Sequence, residues 1–458
     1  MKIKYFFLSC MVFSAFSLFP QANHNSPALK LDFPLFVLPY QIDAGNASTY
    51  GFFGSYTRPS MEQSLSFTMD VYSAMHFGLK KLRDSLPFAP VWKNIIYIGG
   101  NMTGIIAFAY LLPFGYPWMH NEFERAVLSH SGIDSSGRLF RNKEMGINDG
   151  ELVRLKAERP YDMIRMDEAG IEGYLLFSHR MTRNVFFYDL DNFSNWTALF
   201  AVWFGAYANT IIGYADHLGL INVDDSVKDM YKDDGDQESR YTAGYSSINW
   251  VYDLFRPGEA YGERGLHPSG DGSIARYITL AQLSDEERKY LANQGILSLL
   301  NFLSPVLYGF TSFPLGKTGF EWNVALQHYL TPFGIDIPAH IFLKRGPFNL
   351  AFTYHSYANY AHYFPAVEAG LIDFPVYLAP NFGLLLSPRV LLGMQPKGQN
   401  FMTGGPEFLG LLGCRVDFAV SERFFPYFDL SVKTGGWVAG NEYLERNASV
   451  KAGLSIRF

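Results

Sequence analysis

Ala448-Ser449-Val450-Lys451-Ala452-Gly453-Leu454-Ser455-Ile456-Arg457-Phe458 alternates without a break. Ala448, Val450, Ala452, Leu454, Ile456 and Phe458 are apolar, and every residue between them is polar, charged or glycine. Successive side chains of a strand point to opposite faces, so this stretch reads as a strand with one wholly apolar face. Two environments suit it. In a soluble sandwich the polar face meets water; in a transmembrane barrel the apolar face meets lipid and the polar face lines the lumen.

Comparable segments recur toward the N-terminus, over 425–437, 409–420, 384–394, 366–378, 350–360, 336–344 and 320–330. With 448–458 they make about eight strands, each near the ~9–11 residues that a tilted membrane strand needs, and an even count suits a bacterial barrel. Turn residues separate them, as in Arg345-Gly346-Pro347, Pro396-Lys397-Gly398-Gln399 and Gly440-Asn441-Glu442. A strand that finishes on a terminal aromatic, here Phe458, resembles the terminal recognition strand of outer-membrane β-barrel proteins. That resemblance is carried by 448–458 and more loosely by 317–458. It implies an outer-membrane barrel that meets lipid and is delivered by the barrel-assembly machinery; it implies no activity.

Composition agrees. Of 458 residues, 17% are aromatic, with 41 Phe and 29 Tyr, and only 17% are charged, against about a quarter in soluble domains. Such a balance suits a chain with much of its surface in lipid. The net charge of −6 comes without a basic run, which excludes a nucleic-acid partner. Residues 1–22 read as a secretory signal peptide, from the positive Lys2 and Lys4 through an apolar core to Ala22. Cys10 would leave with it, so Cys414 would be the single mature cysteine and no intrachain disulfide would form.

The expected organisation is α+β: a signal peptide over 1–22, an N-terminal extension over 23–59, a mainly helical domain over 60–316 and the β-barrel over 317–458. Helical lengths and spacings appear over 61–86, 118–130, 161–182 and 284–303, the last opened by a capping box of Ser284 and Glu287. Three segments, 94–119, 192–215 and 290–316, lack any charged residue. Each is long enough to cross a bilayer, but glycine, asparagine and proline interrupt it, which favours helices buried in a domain or lying on the membrane surface. The acidic stretch 224–238 reads as a solvated loop, since its spacing misses that of a calcium-binding EF-hand.

The common enzyme signatures are absent: no HExxH, G-x-S-x-G, phosphate-binding glycine loop or CxxC occurs. What remains is a constellation on two helices. His120 and Glu124 share one face at i, i+4; Glu168, Glu172 and His179 share another at i, i+4 and i+11. Brought together, His120, Glu124, Glu172 and His179 would offer imidazole and carboxylate ligands to a divalent metal such as zinc, with Glu168 as general base. The competing account is structural. Glu122 pairs with Arg125, Glu168 or Glu172 with Arg165, and His179 lies at a solvated helix end. The run from His267 to Ser273 holds a local His, Ser and Asp among glycines and reads foremost as a structured surface loop.

On the final strands, Arg415, Asp417, Asp429, Lys433, Lys451 and Arg457 fall on the non-apolar face, where opposite charges would compensate one another inside a narrow, plugged lumen. Two functions follow. One is an outer-membrane component that binds, anchors or transports; the other is a barrel-tethered metal-dependent hydrolase acting on peptide, lipid or envelope material. The missing catalytic motifs favour the first.

Overall fold

The computed structural model describes residues 29–44, 57–137, 146–188, 190, 193–233, 240, 246–379 and 382–458. The signal peptide, Cys10 and residues 234–238 of the acidic stretch lie outside them.

The helical part begins with α1 (Met61–Ser85), opened by a reciprocal cap in which Ser60 accepts the Gln63 N–H and Gln63 accepts the Ser60 N–H. α2 (Pro90–Tyr110) starts on a proline, whose missing N–H costs nothing at a first helical position. There follow α3 (Tyr116–His130), α4 (Asp149–Glu158), α5 (Pro160–Tyr188), α6 (Phe193–His217), α7 (Val223–Asp233), α8 (Ser246–Phe255) and α9 (Asp285–Leu297). α6 turns π-helical over Ala201–Tyr207, where Gly205 lies against the ring of Tyr174 so closely that a Cβ would sit 2.0 Å from it. The Ser284 cap forms as the sequence implies, but α9 stops at Leu297 and tightens into 3-10 turns over Ser298–Phe302 and Pro305–Tyr308. The acidic stretch is helical over Val223–Asp233 rather than a loop. Its Asp224 accepts the Leu280 N–H, and Asp225 bonds Asn222 and Lys228.

The strands are β1 (Lys30–Leu38), β2 (Phe313–Pro314), β3 (Glu321–Leu326), β4 (Tyr329–Thr331), β5 (Gly334–Asp336), β6 (Ala339–Arg345), β7 (Phe348–Ala358), β8 (Tyr363–Leu371), β9 (Phe374–Ala379), β10 (Phe382–Pro396), β11 (Pro406–Ala419), β12 (Phe424–Lys433) and β13 (Asn447–Arg457). They form one 13-stranded antiparallel sheet in the order β1-β13-β12-β11-β10-β8-β7-β6-β3-β2, with β9 extending β8 along β10 and β4–β5 attached to β7. The α+β reading holds, and each of the eight segments read from the alternation falls on strand. Among the described residues the sheet is not closed: β1 and β2 stand at the two ends of the strand order and do not pair with each other. The N-terminal extension is also more than a tail, because β1 lies within it and pairs with β13 from Lys30↔Arg457 to Leu38↔Val450.

The sheet is inverted relative to a water-soluble one. On β12, Phe424, Phe428, Leu430 and Val432 are exposed while Phe425, Tyr427, Asp429 and Lys433 are buried. Burial therefore follows the polar face. What covers that face is α5, nearly all of whose residues are buried. Its C-terminal turns, Val185 to Tyr188, pack on Phe342 of β6, while Lys344 donates to the Phe186 carbonyl at 2.8 Å and Lys30 of β1 to the Tyr188 hydroxyl at 3.1 Å. Each large apolar side chain so buried, such as Phe177 or Phe186, contributes about 1.5–3 kcal/mol. α1 runs along the β1 edge, and the 3-10 turns after α9 run along β3, with the Leu326 N–H on the Leu303 carbonyl. Helical segments thus pack on β1 and on β3, near the two ends of the strand order.

Two of the charge-free stretches are only partly buried. In α2 only Tyr97, Asn101, Ile105 and Ala109 are buried, and Val91, Trp92, Ile95 and Ile106 stand exposed. α6 is 25 residues long and apolar enough to cross a membrane, and only 33% of its most apolar stretch is buried.

Candidate functional site

α5 decides the fate of the expected metal ligands, because it carries three of the residues at three different levels. Near its N-terminal half, His120 Nε2 lies 3.1 Å from Glu124 Oε1, an i, i+4 pair within α3. The His120 ring rests on Gly170, where a Cβ would fall 2.3 Å from ring atoms, so only glycine permits that approach. Over the same turns, Arg165 grips both Glu168 and Glu172 through the same Nη1, and its Nη2 lies 3.1 Å from Glu172 Oε1. Trp437 Nε1 donates to Glu168 at 3.1 Å and to Glu172 at 3.3 Å, and the Gly440 N–H donates to Glu172. All three charged residues are wholly buried. Two turns beyond, the His179 ring faces that of His340, 4.0 Å away.

The four ligands read from the sequence are therefore not gathered around one point. For the two glutamates the physical reason is Arg165: from the same helix face it already engages both carboxylates, and Trp437 Nε1 donates to each. Among the described residues, one group of three possible ligands does lie within 4.8 Å, His130, Asp162 and Glu445. A cation already serves it, since Arg159 bonds Asp162 at 2.9 Å and Glu445 at 3.2 Å. Hydrogen bonding from His130 is the largest cause holding the Glu445 carboxyl down at about 2, with Arg159 adding to it. The His267 loop is a structural turn. His267 bonds Ser269 at 2.7 Å, while Asp271 is held by Arg240 and Ser273.

A second buried ionic group ties the helices together away from the sheet. Asp253 of α8 receives Lys156 Nζ at 2.9 Å and Arg264 through a second oxygen. Burial alone would raise its carboxyl, but Arg264 and Lys156 together hold it below the usual carboxylate range.

A concavity of about 330 Å³ lies where α1 and α5 face the polar side of the sheet. Its charges are mostly paired. Arg180 of α5 reaches Glu62 of α1 at 2.7 Å, and Lys451 of β13 joins the same carboxylate at 3.0 Å. Arg415 of β11 bonds Asp32 of β1 at 2.7 Å, Arg389 of β10 bonds Asp429 of β12 at 2.9 Å, and Arg457 bonds Asp373 at 2.9 Å. His355 lies 2.8 Å from Asp336 and 3.5 Å from Glu368. The compensation expected of the strand charges is present, and α1 and α5 supply part of it. Lys433, also expected there, instead donates to the Gly436 and Glu445 carbonyls. The sequence did not point to Arg180 or Arg183; the usable signal was two arginines at i, i+3 near the C-terminal end of α5, where no carboxylate lies within a helical turn of either.

Neither a protein-family model nor a curated protein matches the chain.

Proposed function

We propose that this chain is an outer-membrane protein with a binding role, held in lipid by the outer face of its sheet and occluded by α5. The observation that carries the reading is the inverted burial: phenylalanine, leucine and valine outside, and arginine, aspartate and lysine inside, on the same strands. Soluble chains rarely expose contiguous apolar patches beyond a few hundred Å². Exposed apolar side chains also stand on α2, at Val91, Trp92, Ile95 and Ile106, and α6 is long and apolar enough to cross a membrane. With α5 packed on the polar face of the sheet, the space that remains is a concavity lined by charged groups, which favours binding over conduction. The tethered-hydrolase alternative lacks an assembled ligand set among the described residues.

Membrane fractionation of the full chain tests the reading. Recovery in the outer membrane, with gel migration that shifts on heating, is the expected result. Recovery in the soluble fraction or the inner membrane contradicts it.

A further inference from the structure

We propose that the cavity enclosed by α1, α5 and the sheet binds a small oxyanion, a phosphate or carboxylate group, with Arg183 as the cation that receives it. The inference rests on the occluded-interior reading above and adds the class of ligand.

Charge pairing around the cavity leaves one residue over. The lining carboxylates Asp32, Glu62, Asp336, Glu368, Asp373 and Asp429 each have a basic partner, and Asp70 accepts the Asp32 N–H with both oxygens at 3.0 Å. Among the described residues Arg183, which also lines the cavity, has no hydrogen-bond or ion-pair partner, and its Nε is shut away from solvent. A guanidinium stays charged at any physiological pH and carries five donors, so Arg183, half-buried on the cavity wall without a partner of its own, has donors to offer an arriving anion.

The surroundings fit an oxyanion. Arg180 lies one turn back on the same helix and already shares its carboxylate, Glu62, with Lys451. His179 presents a buried Nδ1 without a partner beside His340. A planar guanidinium meets phosphate or carboxylate oxygens two at a time, with imidazole and a second guanidinium as further donors. A space of about 330 Å³ lies at the small end for ligand pockets, enough for a compact anion and its waters, not for a lipid with its chains.

The test uses the full chain purified in detergent, at constant ionic strength set with chloride. Equilibrium dialysis measures binding of inorganic phosphate and, in a separate arm, succinate. Saturable binding of either at one per chain is expected, weakened at least tenfold in Arg183→Gln and unchanged in Arg288→Gln, which alters an exposed pair with Asp285. Whichever arm saturates names the anion. Should Arg183→Gln fail to fold, Arg183→Lys keeps the charge without the fork and is expected to bind more weakly than wild type. No saturable binding of either anion by the wild-type chain, or equal binding by a folded Arg183 variant, overturns the proposal. Neither outcome depends on where the protein fractionates, so failure here is distinct from failure of the outer-membrane reading.

Discussion

Arg165 holds two buried carboxylates with one guanidinium, and its removal leaves both without their cation. Breaking a buried pair by deleting one partner costs about 3–5 kcal/mol. Arg165→Met is therefore expected to lower stability by an amount in that range, read from denaturant unfolding in detergent, whereas Arg288→Gln should cost little. An equal, small effect of the two would mean that the Arg165 cluster is solvated. The half-exposed Glu445 gives a pH-dependent counterpart. Its carboxyl is depressed from 4.5 to about 2 in the folded state, so its bond to His130 stabilises above about pH 4.5 and that contribution drains away as pH falls toward 2. The difference in melting temperature between wild type and Glu445→Gln should shrink over that window; a constant difference would dissociate Glu445 from the effect. The pairing of Glu168 and Glu172 with Arg165 was readable from their spacing along one helix. Closure by Trp437 and Gly440 was not, because those residues lie more than 260 positions away.

At the scale of elements, period-two alternation is a local property, and it located β3, β6 to β8 and β10 to β13 directly. β1 escaped because its pairing with β13 joins distant parts of the chain, and because Pro34 and a register shift between Pro34 and Phe36 blur its alternation. The exposure of α2 was hidden for a different reason: an apolar helix reads alike whether protein or lipid surrounds it. The proposed lipid contact makes a specific demand on the strands. Leu430, 52% exposed on the outer face of β12, should not tolerate a charge, and Leu430→Arg is expected to cost about 2–4 kcal/mol if it lies near the bilayer midplane. The neighbouring inward position Ser431, which bonds Ser449 across the strands, should accept polar replacement with less loss. Assembly yield and unfolding of the two variants in lipid vesicles check this; equal tolerance would remove lipid from the outer face.

For the molecule as a whole, the sheet is not closed among the described residues, α5 packs on its polar face, and α1 packs on β1. The sequence separated helices from strands because each has its own period, but it presented them as successive domains. Contacts such as Lys30 with Tyr188, or Glu62 with Lys451, interleave them instead. Outer-membrane assembly guided by the terminal strand predicts that deleting Phe458 reduces yield of the mature fold; unchanged yield would make the aromatic end incidental. Phe458 also rests near Phe77 of α1, with ring centroids 6.4 Å apart, so the conservative Phe458→Tyr variant separates loss of packing from loss of the signal.

The central claim is that lipid meets the apolar face of the strands and that their charges point inward. Spin labels placed singly along β12 in a Cys414→Ser background, with the protein reconstituted in vesicles, measure it position by position through collision with oxygen and with a water-soluble nickel chelate. Labels at 424, 428, 430 and 432 are predicted to collide with oxygen and not with nickel, and labels at 427 and 429 with neither to the same extent, giving a period of two. Nickel accessibility at 428, 430 and 432 would place those side chains in water and contradict the account.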